Sequence, residues 1–455
     1  MKVVIVGDGK VGSALTEQLA REGYDLVVID NKKGVLKEAV DRMDVQVVSG
    51  NGAALETQRA AGVASAELLI AATSSDESNL LCCMLARKLG CPRTVARVRN
   101  PAYHDQLYLM REELGLSMTI NPERTAANEV FRLLQFPSFL KRETFAKGKV
   151  ELVELFVHED SILADKALNQ LYRILKIQIL ICAVKRGDQV YIPDGSFVLR
   201  KDDRIFVTAP NQSLAKLIKR LGLATHKVRS VMIVGGSNTA YYLTQELLRA
   251  DVKVKIVEIN PERCAELAER LPEAVIIQAD GTDQRVLLEE GMREMDAVVT
   301  LTNMDEENLI ASMFANFLRV PTVITKINRS EYNSILQEKG IDCIVSPKML
   351  VVDDIVRFLR ALDGAEGNVR TLYRIADGGA EVLEFRVAPT TPHLETPLQD
   401  LHLRPNLLLG CISRGGRAII PRGSDFLRVG DTVVVVATAN NRVSNLSEIF
   451  EDEEL

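Results

Sequence analysis

The chain lacks the features that would place it inside a membrane or on a nucleic acid. None of its apolar runs approaches the roughly 20 residues that a membrane-spanning helix needs. It has no block of consecutive Lys or Arg, and its net charge is −6, which argues against a surface built for nucleic-acid phosphates or anionic lipid. The opening MKVVIVG enters a strand pattern at once, so we expect no signal peptide. Any membrane role is therefore expected to run through a partner.

Support for metal or disulfide chemistry is also missing. The 7 cysteines include no C-x-x-C pair, and their odd number argues against a disulfide framework, so we expect reduced thiols in a cytoplasm. The 5 histidines show no H-x-x-x-H spacing. No G-x-S-x-G elbow or P-loop signature occurs. We expect no metal site and no catalytic residue.

The sequence does contain an internal duplication. The stretch VVIVGDGKVGSAL at Val3–Leu15 returns as VMIVGGSNTAYYL at Val231–Leu243. This alignment places Gly7 on Gly235, an offset of 235 − 7 = 228. A motif T-x-x-D-E-x-N and a P-x-G turn recur in the same order in both halves. The 455 residues therefore divide into a duplicated pair of domains.

The pattern of each half predicts an α/β fold. Short apolar runs alternate with amphipathic helical stretches, as parallel sheets require. We expect two Rossmann-like doubly wound parallel sheets, each followed by a crossover helix and a small α+β lobe of strands and one helix. The expected domains are a nucleotide-binding lobe at 1–123, a crossover helix and small lobe at 124–227, a second nucleotide-binding lobe at 228–348, and a second crossover helix and small lobe at 349–455.

The first glycine turn predicts a nucleotide site. Gly7, Gly9 and Gly12 form G-x-G-x-x-G between a strand and a helix, where glycines permit the tight turn, the approach of a pyrophosphate and the packing of helix on strand. The helix N-terminus offers N–H groups to phosphate. Asp30 ends the next strand and is placed to accept hydrogen bonds from ribose hydroxyls, which favours NAD or NADH over NADP. The alternative is a lobe kept only as scaffold.

The second copy of this turn is altered. Ser237 replaces the middle glycine and Ala240 the third, while Gly236 follows the surviving first glycine and Glu258 keeps the ribose carboxylate. Serine adds a side chain where phosphate should come closest, although it could supply a donor of its own. We expect a second nucleotide site with altered affinity or ligand. A degenerate copy retained for packing is the alternative.

Polar residues that follow other strands extend both crevices. Thr73, Ser74, Thr302 and Asn303 follow the fourth strands, at the edge where such sheets bind ligands. The next residues in the motif are expected to start helices as capping residues, namely Ser75, Asp76 and Asp305. The ends of the fifth strands add a cation to each crevice, either for the ligand or as a solvated edge charge, at Arg97 and Lys326.

Binding is favoured over catalysis. A nicotinamide dehydrogenase needs a further domain to hold substrate and supply an acid or base, and the duplicated lobes leave no obvious catalytic domain. The alternative is an NAD-dependent oxidoreductase whose small lobes bind substrate. The third hypothesis is a structural scaffold whose vestigial sites bind no nucleotide.

The repeated motifs IVGDGKVG, VVID, GNG and T-x-x-D-E-x-N, with the P-x-G turns, resemble those of the tandem regulator-of-potassium-conductance (RCK/KTN) family over the full length. The resemblance implies RCK N-terminal and C-terminal domains in each half. It also implies nucleotide contacts, in the first half at Gly7, Asp8, Gly9, Lys10, Val11, Asp30, Thr73, Ser74 and Val98, and in the second at Gly235, Gly236, Ser237, Asn238, Thr239, Glu258, Thr302 and Ile327. The other residues that we expect at these sites are Gly12, Asn51 and Arg97 in the first, and Asp280, Asn303 and Lys326 in the second.

The family resemblance also implies a function. Several chains would form a gating ring on the cytoplasmic face of a bacterial inner membrane, beneath a membrane-embedded potassium channel or transporter subunit of the TrkH or TrkG type. NAD or NADH is the expected cofactor, with ATP or ADP as a further candidate for the altered site. The ligand would act as an allosteric signal that favours one ring conformation over another.

Overall fold

The computed structural model describes residues 1–103, 106, 110–135, 141–145, 150–222, 227–329, 332, 341, 343–363, 369–415, 417–441 and 443–451. The chain folds into two compact units, and each unit combines parts of both halves of the chain. The first unit holds Met1–Phe131 and Val228–Asp354, and the second holds Arg132–Lys227 and Ile355–Leu455. Corresponding lobes of the two halves therefore share a unit.

The first half begins with a parallel sheet of six strands in the order β3-β2-β1-β4-β5-β6. Its strands are β1 (Lys2–Val6), β2 (Asp25–Asp30), β3 (Gln46–Ser49), β4 (Leu68–Ala71), β5 (Thr94–Arg97) and β6 (Met118–Ile120). Its helices are α1 (Lys10–Arg21), α2 (Lys33–Arg42), α3 (Leu55–Ala60) and α4 (Asp76–Leu89), and the crossover helix is α5 (Pro122–Gln135).

A small lobe follows, built on an antiparallel five-stranded sheet in the order β10-β9-β11-β8-β7. Its strands are β7 (Lys141–Phe145), β8 (Val150–Phe156), β9 (Leu180–Arg186), β10 (Gln189–Tyr191) and β11 (Arg204–Pro210). The helix α6 (Leu168–Leu175) belongs to this lobe, and α7 (Asn211–Arg220) follows its last strand.

The second half repeats the parallel sheet in the order β14-β13-β12-β15-β16-β17. Its strands are β12 (Ser230–Val234), β13 (Lys253–Glu258), β14 (Val275–Gln278), β15 (Ala297–Thr300), β16 (Thr322–Lys326) and β17 (Cys343–Val345). Its helices are α8 (Asn238–Arg249), α9 (Pro261–Arg270), α10 (Gln284–Glu289) and α11 (Asp305–Phe317), followed by the crossover helix α12 (Pro347–Asp363).

The last small lobe has an antiparallel sheet in the order β18-β19-β22-β20-β21. Its strands are β18 (Val369–Ile375), β19 (Ala380–Arg386), β20 (Leu407–Arg414), β21 (Arg417–Ile419) and β22 (Thr432–Thr438). The two doubly wound parallel sheets and their small lobes confirm the predicted fold class.

The apolar runs explain the parallel sheets. Strands β1 and β12 lie in the middle of their sheets, and Val3, Ile5, Val231 and Ile233 are each 0% exposed. Such strands are covered on both faces, so they read as continuous apolar runs rather than as an alternation. Their carboxyl ends lead directly into the two glycine turns, which the sheets hold at one edge.

One expectation for the second small lobe is wrong. Between β19 and β20 the described residues hold only a 3₁₀ turn, Leu398–Asp400, where the first lobe has α6. Leu398 aligns with Leu168 at an offset of 230, and at that offset Pro405 falls on Leu175, the last residue of α6. Proline has no N–H for the helix and biases the residue before it towards extended conformations, so the segment does not continue as a helix.

The two small lobes of the second unit share one apolar cluster. It combines residues of both antiparallel sheets, among them Phe145, Cys182, Phe206, Ile375, Cys411 and Val434. Each of the named side chains is at most 1% exposed. Because the cluster draws on both halves of the chain, neither small lobe completes its core alone.

Candidate functional site

The first glycine turn is shaped by contacts that leave no room for side chains at two of its glycines. Gly7 has φ +91, and a Cβ there would lie 2.9 Å from the backbone N and Cα of Thr73. A Cβ on Gly12 would lie 1.8 Å from the carbonyl oxygen of Gly7. The sheet, the turn and α1 are therefore in direct backbone contact, as close helix–strand packing requires.

Gly9 is different, because the protein does not need a glycine there. It is the N-cap of α1 with φ −75, a conformation open to any residue, and no side chain caps the helix. A Cβ on Gly9 would meet no atom of the described residues within 4 Å. The open space lies in front of a helix N-terminus, which attracts anions. The turn therefore fits the diphosphate of a nucleotide.

Asp30 holds the turn from the neighbouring strand. Its Oδ2 accepts a hydrogen bond from the backbone N–H of Asp8 at 2.8 Å, and its Oδ1 accepts one from the N–H of Lys32 at 2.8 Å. The carboxylate lies at the end of β2, where a ribose would stand. Its partners are backbone donors, so the carboxylate is fixed in position before any ligand arrives.

The strand-end motif contributes a hydrogen-bonding asparagine in each lobe. Asn79 Oδ1 accepts from the backbone N–H of Thr73 at 2.8 Å, and its Nδ2 donates to the carbonyl of Arg97 at 2.9 Å. Asn308 makes the same pair of contacts with Thr302 and Lys326, at 2.8 and 3.0 Å. Sequence reasoning assigned these asparagines no role, although the repeated motif T-x-x-D-E-x-N contained them.

The aspartates of the motif do more than start helices. Ser75 caps α4 as expected, accepting from the N–H of Ser78 at 3.1 Å. Asp76 Oδ2 instead accepts from the backbone N–H groups of Arg99 and Asn100, both at 2.8 Å.

Asp305 behaves in the same way. It is the first residue of α11 rather than its N-cap, and it accepts from the backbone N–H groups of Asn328 and Arg329 at 3.0 and 2.9 Å. The capping role expected of both aspartates is therefore corrected. They tie the start of a helix to the segment that follows the next strand.

The crevice cations have different partners. Arg97 lies 3.6 Å from Glu123 as an ion pair, and burial lowers the pKa of its guanidinium. Lys326 is 7% exposed, and its Nζ donates to the carbonyl of Leu301 at 3.4 Å. Burial lowers the pKa of Lys326 to about 8. A solvated edge charge, the alternative for Lys326, does not fit this burial.

The remaining predicted residues lie at the same sheet edges. Asn51 and Asp280 follow β3 and β14 and close their own turns, accepting from the N–H groups of Ala53 at 3.0 Å and Thr282 at 2.8 Å. Val98 and Ile327 follow β5 and β16 and are 5% and 1% exposed. These residues of each half thus lie at the carboxyl edge of one parallel sheet.

The two nucleotide-binding lobes touch through a tyrosine that the sequence did not single out. Tyr242 on α8 donates to the carbonyl oxygen of Arg99 at 3.2 Å and accepts from Asn121 Nδ2 at 3.2 Å. Asn121 also lies directly before α5, where its Oδ1 accepts from the N–H of Arg124 at 2.9 Å. The helix that starts in the second turn is thereby connected to the first lobe.

Comparisons with known proteins agree with this architecture. The TrkA-N domain model matches residues 3–122 and 231–347, and the TrkA-C domain model matches 152–222 and 382–450. The chain belongs to the TrkA family. The family's two domain types thus occur twice, in the same order as the two kinds of lobe in the structure.

Curated relatives of the family match over nearly the whole chain. Trk system potassium uptake protein TrkA homolog 1 of Methanosarcina mazei is 33% identical, covering 97% of this chain and 98% of its own. The TrkA homolog of Archaeoglobus fulgidus is 32% identical, covering 99% of this chain and 100% of its own.

Solved structures share the fold. The RCK domain of GsuK is 18% identical with a TM-score of 0.63, covering 96% of this chain and 92% of that one. The GsuK channel bound to NAD is 19% identical with a TM-score of 0.61, covering 96% of this chain and 77% of that one. These likenesses confirm the expected RCK architecture. In the described residues, no helix is both long enough and apolar enough to cross a bilayer.

Proposed function

We propose that this chain is the nucleotide-sensing regulatory subunit of a potassium uptake system. Its family and its full-length relatives, which are named for Trk potassium uptake, support this role. The oxidoreductase alternative finds no support among those relatives. The regulatory role also accounts for the duplicated lobes, which supply crevices and paired domains rather than a separate substrate domain.

The observation that carries the proposal is the open space at Gly9. The protein's own packing explains Gly7 and Gly12, but a Cβ added at Gly9 would meet no described atom within 4 Å. A ligand that approaches the backbone closely accounts for a glycine at that place. Together with the carboxylate of Asp30, held 2.8 Å from the N–H of Asp8, the space fits the diphosphate and ribose of NAD or NADH.

ATP or ADP is a competing ligand for the first crevice, because NAD contains an adenosine diphosphate unit. One structure of GsuK, similar in fold, is described as bound to ADP. The expectation that the second crevice also binds a nucleotide stays a prediction.

Nucleotide binding would regulate transport by shifting the chain between conformations. A ligand that binds one conformation more tightly than another by about 1.4 kcal/mol shifts their ratio tenfold. The partner is a membrane-embedded potassium channel or transporter of the TrkH or TrkG type, and the chain would act at the cytoplasmic face of the membrane.

Self-assembly into a gating ring completes the proposal. Exposed apolar side chains recur at equivalent places on α4 and α11: Leu81 and Met84 on the first, Ile310 and Met313 on the second, both pairs at an offset of 229. We assign these faces to contacts between copies of the chain, since large exposed apolar patches mark interaction sites. Light scattering after gel filtration tests this, and a monomeric wild type at micromolar concentration would contradict it.

Nucleotide binding is tested by isothermal titration of the purified chain with NADH, NAD, ADP and ATP. Asp30→Asn removes the charge but retains a hydrogen-bond acceptor for the turn, and it is expected to weaken NADH binding at least tenfold. Asp25→Ala is the matched control, since this exposed aspartate lies at the opposite end of the same strand. If wild type binds none of the nucleotides, the proposed function is wrong.

The regulatory step is tested by potassium flux into vesicles that hold the membrane subunit, with and without the chain and NADH. We expect NADH to change the flux only when the chain is present. The Asp30→Asn chain should assemble with the membrane subunit but lose most of the NADH response.

A further inference from the structure

The two glycine turns differ in what stands before the helix that follows. In the first turn, Gly9 leaves the N-terminus of α1 uncovered. In the second, Ser237 occupies the equivalent N-cap, and its Oγ accepts a hydrogen bond from the N–H of Ala240 at 3.5 Å. The serine therefore places atoms in the volume that Gly9 leaves open. It also engages a helix N–H group that would otherwise face a phosphate.

An arginine of the next helix braces the second turn. Arg263 on α9 donates from Nε to the carbonyl oxygen of Gly236 at 2.6 Å and from Nη2 to Asn238 Oδ1 at 3.1 Å. Its Nη1 donates to Glu266 at 2.6 Å, and its side chain is 20% exposed. The guanidinium is thus held on both sides, and it fixes the turn against α9.

The first half has a different residue at the corresponding position. Arg263 aligns with Val35, since 263 − 228 = 35, and valine has no hydrogen-bonding group. The hydrogen bonds that Arg263 donates to the second turn therefore have no counterpart from Val35.

The ribose side does not distinguish the two crevices. Glu258 Oε2 accepts from the N–H of Gly236 at 2.6 Å and its Oε1 from the N–H of Asn260 at 2.8 Å. Asp30 makes the same two kinds of contact in the first crevice. The difference between the sites is therefore concentrated where the phosphates would lie.

We propose that Ser237 and Arg263 determine the specificity of the second crevice: they fill and brace its glycine turn, and so exclude the diphosphate of a dinucleotide. The chain then binds one dinucleotide, in the first crevice. This inference rests on the proposed nucleotide-binding function. The same exclusion applies to ADP and ATP, whose phosphates follow the same ribose, so this proposal replaces the expectation of a second nucleotide site.

The test exchanges the distinguishing residues between the turns. Ser237→Gly with Arg263→Val gives the second turn the residues of the first, and Gly9→Ser gives the first turn the serine of the second. The Cβ of Gly9→Ser would meet no described atom within 4 Å, so this variant should fold. Each variant is compared with wild type by circular dichroism and gel filtration, and its NADH stoichiometry is measured by isothermal titration and by the fluorescence of bound NADH.

We expect one NADH per chain for wild type, two for Ser237→Gly/Arg263→Val, and none for Gly9→Ser. Asp25→Ala, which changes an exposed residue at the far end of β2, should leave the wild-type value at one. If the double variant does not fold, Ser237→Gly alone is used, and binding of a second NADH is expected at lower affinity.

The possible outcomes distinguish a failure of this inference from a failure of the proposed function. Two equivalents for wild type would overturn the inference and leave the proposed function standing. One equivalent for a folded double variant, or for the folded single variant that replaces it, would also overturn the inference. Full binding by Gly9→Ser would show that a serine does not block such a turn. No binding by wild type would overturn the function and the inference together.

Discussion

Substituting alanine at two glycines of one turn separates what the fold needs from what a ligand needs. In Gly12→Ala the new Cβ would lie 1.8 Å from the carbonyl oxygen of Gly7, and real Cβ atoms do not come closer than 3.0 Å. The helix or strand must therefore move by at least 3.0 − 1.8 = 1.2 Å. In Gly9→Ala the new methyl group meets no described atom within 4 Å.

The expected costs differ accordingly. Overpacking of this kind costs about 2–3 kcal/mol, which lowers the unfolding temperature by roughly 4–12 °C at about 2–4 °C per kcal/mol. Gly9→Ala should stay within about 1 kcal/mol of wild type, because φ −75 suits alanine. Gly9→Ala should nevertheless weaken NADH binding at least tenfold, since its methyl group enters the volume assigned to the phosphates.

Scanning calorimetry and isothermal titration on the two variants measure both quantities. Wild type is the reference, and Gly23→Ala is the control at a glycine outside the turn. Gly23 has φ +79 and no described atom within 4 Å of an added Cβ, so this variant measures backbone strain without a steric clash. An unfolding temperature for Gly12→Ala within 1 °C of wild type would refute the steric argument. Unchanged NADH affinity in Gly9→Ala would refute the assignment of the open space to phosphate.

Three further predictions follow from buried groups. Lys326→Met should stabilise the chain by about 3 kcal/mol at pH 7, and the gain should shrink between pH 8 and 10.5, where the folded wild type loses a proton that its unfolded chain keeps. Tyr242→Phe should cost about 1–2 kcal/mol in thermal unfolding and speed hydrogen exchange near Asn121, because it removes two partly buried hydrogen bonds. Cys182 should resist alkylation at pH 8 in the folded chain, since burial raises its pKa to about 12, while the half-buried Cys343 reacts first.

Each of these has a contradicting result. A Lys326→Met difference that does not depend on pH would show that the ammonium is not desolvated. Exchange rates unaltered by Tyr242→Phe would show that the contact between the lobes carries no stability. Equal alkylation rates for Cys182 and Cys343, measured by mass spectrometry, would contradict the burial of the first thiol.

The sequence predicted the fold because its signals were local and repeated. The offset that joins Gly7 to Gly235 aligned strand, turn and helix in both halves, and the apolar runs predicted parallel strands correctly. The crossover helices also begin at prolines, Pro122 and Pro347, and proline is common at the first position of a helix. These features depend on residues that are close together in the sequence, so a sequence pattern can predict them.

The contacts between distant residues could not be predicted in this way. Tyr242 meets Arg99 across 143 positions, and no periodicity marks a tyrosine on an otherwise ordinary helix. Asp76 and Asp305 were expected to cap helices because aspartate is common there, but statistics of helix starts do not say which backbone N–H groups a carboxylate reaches. Arg263 was missed because its aligned partner, Val35, gave no repeated signal.

The apolar cluster shared by the small lobes has an evolutionary consequence. Phe145, Cys182 and Phe206 come from one half of the chain, and Cys411 and Val434 from the other. A single-copy ancestor would have needed a second molecule to cover that face. Fusion of two copies makes the pairing independent of concentration and of chance encounters. Neither glycine turn contributes a residue to this shared cluster, so a difference such as Ser237 in one turn leaves the joined core intact.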